Sequence, residues 1–219
     1  MMSEATAMTC PICHKRKAKR FCPARGDSIC SVCCGTEREV TIDCPSDCAH
    51  LIASRQYDYE RKEIDWEKMP FRDTKIEPSF LDDHEELVGS LAYTVCLYAR
   101  ENRELADSDV LAAVSSLAET YRTLSRGIYY EKPPDYRLQH ELYDRLRAAI
   151  EDHRKAEAQH TGLGALRDAD VRDALIFLAQ LGFTRSNERP KGRAFLDLLR
   201  RQFKSEELSK PASNIVLLP

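Results

Sequence analysis

Residues 10–50 read CPICHKRKAKRFCPARGDSICSVCCGTEREVTIDCPSDCAH, and this stretch holds eight of the chain's nine cysteines. They stand as Cys10-x2-Cys13, a lone Cys22, Cys30-x2-Cys33-Cys34 and Cys44-x3-Cys48, with His14 and His50 beside them. Two sulfurs separated by two residues can face one ion across a tight turn, and two such knuckles complete a tetrahedron. A segment of about fifty residues cannot bury enough apolar surface to fold alone without a metal, disulfides or a neighbour. The spacing therefore predicts a metal-folded module over residues 1–50, with Zn2+ as its ion.

The alternative, a disulfide framework, depends on compartment. Residues 1–9, MMSEATAMT, lack the basic start and apolar run of a secretory signal. No stretch approaches the roughly 18–20 apolar residues of a membrane span. The expected location is cytoplasmic, where a reducing environment favours metal ligation over disulfides. An interleaved assignment uses every sulfur in the cluster. Cys10, Cys13, Cys30 and Cys33 hold one ion, and Cys22, Cys34, Cys44 and Cys48 hold a second. His50 can replace Cys48, and His14 can replace Cys13. An iron–sulfur cluster also takes four cysteines, but separate knuckle pairs favour zinc. A redox dithiol is the remaining reading of the cluster. A surplus of thiolates argues for closed, structural sites without an open position for water.

In the order of its ligands the segment resembles the two-zinc cross-brace modules of the MYND, HIT-type and B-box families. The stretch Lys19-Arg20-Phe21-Cys22-Pro23, followed by Ile29-Cys30-Ser31, looks like the middle of a HIT-type finger. The resemblance covers residues 10–50 alone. It departs at Cys22-Pro23-Ala24-Arg25, where those families have Cys-x2-Cys, so that Cys34 would supply the missing ligand. It implies a module that docks partner proteins and performs no catalysis.

Beyond the module, Pro45-Ser46-Asp47 resembles a helix opening with Ser46 or Asp47 as cap. Residues 51–78 read as a connecting helix, extending to about Lys68, and a linker containing Pro70 and Pro78. Residues 79–205 then carry apolar side chains at helical spacing. The first stripe runs from Phe80 through Leu87, Leu91 and Val95 to Tyr98. The second runs from Val110 to Leu124, opened by Asp107 or Ser108 and closed by Gly127. A third follows Pro133-Pro134, from Leu138 to Ile150, and Gly162 and Gly164 break the chain after it. A fourth runs from Val171 to Leu181 and stops at Gly182, and a fifth holds Ala194, Phe195, Leu198 and Leu199. No alternation is long enough to propose a sheet. The fold expected is mainly α, a small irregular zinc module followed by a five-helix-type bundle. The tail 206–219 ends apolar and suits either a segment docked on its own bundle or a peptide ligand for another protein.

Function is less constrained. The net charge of -3 on 219 residues exerts no global pull toward nucleic acid or an anionic membrane. The chain has no phosphate-binding loop, no nucleophile elbow and no Ser/His/Asp or Cys/His arrangement, so an enzyme is not expected and no small-molecule substrate is evident. Glu157-x2-His160 is half of a di-iron ligand set without a second copy. Lys15, Arg16, Lys17, Lys19 and Arg20 form the best basic run, with Phe21 as a stacking surface. Those cations also offset the -4 that eight thiolates and two zinc ions would carry. The leading expectation is an adaptor or scaffold that binds other proteins. The alternative is an RNA- or DNA-associated factor using the basic run, and a reactive-thiol enzyme or sensor is a third reading.

Overall fold

The structure, a computed structural model, describes residues 9–161, 166–204 and 208. Gly162, Gly164 and, apart from Leu208, the tail 206–219 lie outside the described residues. The chain forms two compact units, one of residues 1–62 with 187–192 and one of residues 63–186 with 193–219.

In the first unit, β1 (Arg20–Cys22) pairs antiparallel with β2 (Asp27–Ile29), Arg20 opposite Ile29 and Cys22 opposite Asp27. Gly26 closes the turn at φ 70°, a conformation that costs glycine nothing. This hairpin corrects the expectation of no sheet. Its strands are three residues each, shorter than the run of four to eight that alternation can reveal. Then α1 (Ser31–Glu37) and α2 (Ala49–Arg61) follow. Neither Ser46 nor Asp47 caps α2, because Cys48 occupies the N-cap position. The helix stops at Arg61, short of Lys68, in a stretch with almost no apolar face to hold it: Leu51 is its single buried residue.

The second unit is helical. Its elements are α3 (Pro78–Asp83), α4 (Glu85–Glu101), α5 (Asp107–Leu124), α6 (Arg137–Thr161), α7 (Asp168–Arg185) and α8 (Ala194–Arg200). Pro78 stands in the first turn of α3, where its missing N–H costs nothing. The first predicted stripe is therefore two helices, broken at His84. Here α5 packs against both α6 and α7, and α4 packs against α6, α7 and α8. Leu91, Val110, Leu117, Leu142, Leu146, Ile150, Leu175 and Phe195 meet in one continuous apolar core, and Leu208 packs against its edge. Cys96 is fully buried there, which pushes its thiol up to about 12.

The Tyr98 and Tyr143 hydroxyls that enter this core are hydrogen-bonded, whereas Arg154 Nε is buried without a partner among the described residues. The Tyr98 hydroxyl donates to Glu141 at 2.8 Å, and that of Tyr143 lies 3.1 Å from Thr120 and 2.9 Å from Glu131. Asp107 does not cap α5, where Ala106 is the N-cap. Instead its buried carboxylate accepts the Phe195 and Leu196 amides at 3.0 Å each and so caps α8. Of the tyrosines near Pro133-Pro134, Tyr121 and Tyr143 are buried and Tyr129, Tyr130 and Tyr136 are exposed.

Gly182 was expected to end the fourth helix. It lies inside α7, three residues before the end at Arg185. Packing explains the glycine: a Cβ there would lie 2.6 Å from Leu111 Cδ2 and 2.9 Å from Phe195 Cε1. Helix propensity favours alanine by about 1 kcal/mol, whereas overpacking a core costs about 1–3 kcal/mol. Gly182→Ala is thus expected to destabilise the protein, read as a lower urea midpoint at unchanged m-value.

Candidate metal centre

The local fold of the first unit brings four sulfurs together. Residues 10–16 make a tight turn in which the His14 amide donates to Cys10 O and the Cys10 amide to Arg16 O, both at 2.8 Å. Its second knuckle is the start of a helix. Cys30 is the N-cap of α1, and its sulfur accepts the Cys33 amide at 3.3 Å. A thiolate at a helix N-terminus also gains from the amides that helical geometry leaves without partners.

The sulfurs of Cys10, Cys13, Cys30 and Cys33 all lie within 4.8 Å of one another. Cys13 Sγ and Cys30 Sγ are 3.9 Å apart, against the edge of about 3.8 Å that a tetrahedron with Zn–S bonds of about 2.3 Å requires. Cys10, Cys30 and Cys33 are buried, Cys13 is half-buried, and all are free thiols. Amides of Lys15 and Arg16 aimed at its sulfur hold the Cys13 thiol down at about 6. Cys33 is pushed up to about 12, by burial first and then by sharing hydrogen bonds with the other three sulfurs. Four sulfurs this close repel when ionised, and a divalent cation between them relieves that repulsion. Donor type, spacing and amide support all fit, so this group could hold a zinc ion.

Among the described residues, Cys22, Cys34, Cys44 and Cys48 do not form a second group of this tightness. Adjacent helix residues point about 100° apart, so Cys34 directs its sulfur away from the first cluster; Arg38 Nη2 lies 3.9 Å from it. Cys22, Cys34 and Cys44 nonetheless share one small core with the first group. The Cys44 thiol is raised by burial and then by the charges of Glu39, Cys48 and Cys22, against an amide of Glu39 that lowers it. His14 is exposed and His50 half-buried, and neither joins the tight group. Lys15, Arg16, Lys17 and Lys19 are exposed and Arg20 is half-buried.

A second set of residues had no sequence signal. Glu39 is almost fully buried at φ 53°, in the left-handed region that non-glycine residues seldom occupy. Its carboxylate accepts Arg55 Nη2 and Asn187 Nδ2, each at 2.6 Å, and its carbonyl accepts the Lys191 amide at 2.8 Å. Arg189 Nη1 donates to the carbonyls of Gly35 and Arg38, at 3.1 and 2.5 Å, at the end of α1. Lys191 Nζ reaches Thr41 O at 2.9 Å. Thus α1 is capped by the Cys30 sulfur at its start and by residues 187–192 at its end. Nothing distinguishes Glu39 from Glu37 in a linear reading, and Asn187 is 148 residues away.

Compared with family models, with curated proteins and with solved structures, the chain matches none of them. Its site is therefore read from its own geometry. No helix among the described residues is long and apolar enough to cross a membrane.

Two expectations follow. Cys10→Ser or Cys30→Ser should remove stoichiometric zinc, as read by elemental analysis of the purified protein. With zinc in this group, chelation is also expected to speed hydrogen exchange at the Lys191 amide, whose acceptor Glu39 O lies just beyond the end of α1. Amides in the middle of α5 should keep their protection.

Proposed function

We propose that the protein is a zinc-dependent, non-enzymatic adaptor of the cytoplasm, whose cysteine module docks another protein. The observation that carries this reading is closure of the donor set. Four sulfurs fill the four positions of a tetrahedral zinc, which leaves no open position for water or substrate. Such a site contributes folding energy and shape.

The docking face we assign to α2. Of its side chains only Leu51 is buried, while Ile52, Tyr57 and Tyr59 are each more than half exposed. Ile52 and Tyr59, seven residues apart, lie nearly on one line along the helix. Arg61 stacks over the Tyr57 ring at 4.0 Å, which stiffens that rim. Exposed tyrosines on a rigid element supply large contact area at low entropy cost.

The same reading includes a second zinc at Cys22, Cys34, Cys44 and Cys48, in the cross-brace layout of MYND, HIT-type and B-box modules. What supports it is that Cys22, Cys34 and Cys44 line one core and that the charges of Cys22 and Cys48 both reach Cys44.

The tests are direct. Elemental analysis is expected to give two zinc ions per chain, and one ion would confine the metal to the first group. Immobilised full-length protein is expected to capture a defined protein from lysate, and an Ile52→Glu/Tyr59→Glu variant of unchanged zinc content should lose it. Capture unaffected by that variant would remove α2 as the docking face. Rapid labelling of a cysteine in the metallated protein would favour a reactive-thiol role instead.

A further inference from the structure

The segment 17–22 alternates strictly. Lys17, Lys19 and Phe21 are exposed, Ala18 and Arg20 are half-buried, and Cys22 is buried. Hydrogen bonding explains the regularity. Lys17 bridges to Thr9, the Lys19 amide donates to Ile29 O at 3.0 Å, and Arg20–Cys22 is β1. Residues two apart on an extended chain share a face and are spaced about 6–7 Å. One face of the ribbon, with Cys22 and the cross-strand Ile29, covers the sulfur-rich core. The other presents Lys17, Lys19 and Phe21 in a row, and Lys15 and Arg16 stand on the turn just before it.

These cations are not engaged elsewhere among the described residues. Lys15, Arg16, Lys17, Lys19 and Arg20 make no salt bridge with any described residue, whereas Asp27 on the neighbouring strand is already paired with Arg25 at 3.2 Å. Five positive charges exceed even the -4 of eight thiolates with two zinc ions, so the ribbon keeps a local excess of one. Phe21 is 62% exposed. A lone exposed aromatic is ordinary; one in register with two unpaired lysines makes a combined charge and stacking surface.

We infer that the face Lys17-Lys19-Phe21, flanked by Lys15 and Arg16, binds single-stranded nucleic acid, with the lysines on successive phosphates and Phe21 stacked on a base. The inference goes beyond protein docking by α2 and uses different residues. Three short alternating positions suit an extended strand better than a duplex, whose bases offer no free face to stack on. The recognition chemistry carries no base code, so it takes DNA or RNA strands alike.

The test is fluorescence anisotropy with zinc-loaded full-length protein and labelled 12-nucleotide strands, oligo-dT and oligo-U, against a duplex of equal length. Single strands are expected to bind more tightly than the duplex, with affinity falling as salt rises. Lys17→Ala/Lys19→Ala should lower the salt slope by about 1.4, two contacts at about 0.7 each. Phe21→Ala should weaken binding by roughly 5- to 160-fold at an unchanged slope, and Phe21→Tyr should restore it. All three side chains face solvent, and zinc content confirms that each variant is folded. Three results would each overturn the inference: no binding by the wild type, equal affinity for the duplex, or competition by polyglutamate as strong as by unlabelled strand.

Discussion

Mutual repulsion among four closely held sulfurs is the constraint on which the first unit depends. Cys10, Cys13, Cys30 and Cys33 converge within 4.8 Å, a distance at which they cannot all ionise unless a cation sits among them. The buried apolar residues around them are few, chiefly Ile29 and Ile42 with the cysteines themselves. Such a core is too small to offset the chain entropy of some fifty residues. In the proposed zinc form, coordination energy is the folding energy, and the hairpin and α1 are the two frames that bring the knuckles together.

A buried carboxylate completes the arrangement. Glu39 would be costly where it sits without compensation, since an unpaired buried charge destabilises by several kcal/mol. Arg55 and Asn187 supply that compensation at the carboxylate, and the Lys191 amide pairs with the carbonyl of the same residue. The consequence is that residues 187–192, which follow α7 in the chain, belong to the cysteine-rich unit. Satisfying orphan carbonyls at the end of α1 with Arg189 serves the same end. The unit thus uses charge twice, once in sulfur and once in carboxylate.

The helical unit draws on a different source of stability. Its core is a single apolar cluster in which Cys96 is the one thiol among the described residues, and its buried hydroxyls and carboxylates act as caps and braces. Asp107, which stabilises the start of a helix far along the chain, and Gly182, which admits Phe195, show packing overriding the local role each residue type usually takes. The two units are held by separate kinds of interaction. Metal exchange and core mutation are therefore expected to act on them separately.

Much of this was open to a linear reading. Cysteine spacing marked Cys10, Cys13, Cys30 and Cys33 as one ligand set, because a knuckle is a local turn whose geometry follows from two intervening residues. Apolar periodicity marked the bundle helices, because the helix period is local too. Helix ends were read less well: the N-caps fall at Cys48 and Ala106, beside the polar residues expected there, and Gly182 lies inside α7, where Leu111 and Phe195 pack on it. The three-residue strands carry too few positions to leave a pattern, and yet with the Thr9 bridge and the Lys19–Ile29 hydrogen bond they set the outward row of Lys17, Lys19 and Phe21. Glu39 with Asn187 needed the tertiary structure outright. A contact between residues 148 apart is made by the path of the whole chain, and no short-range pattern encodes it.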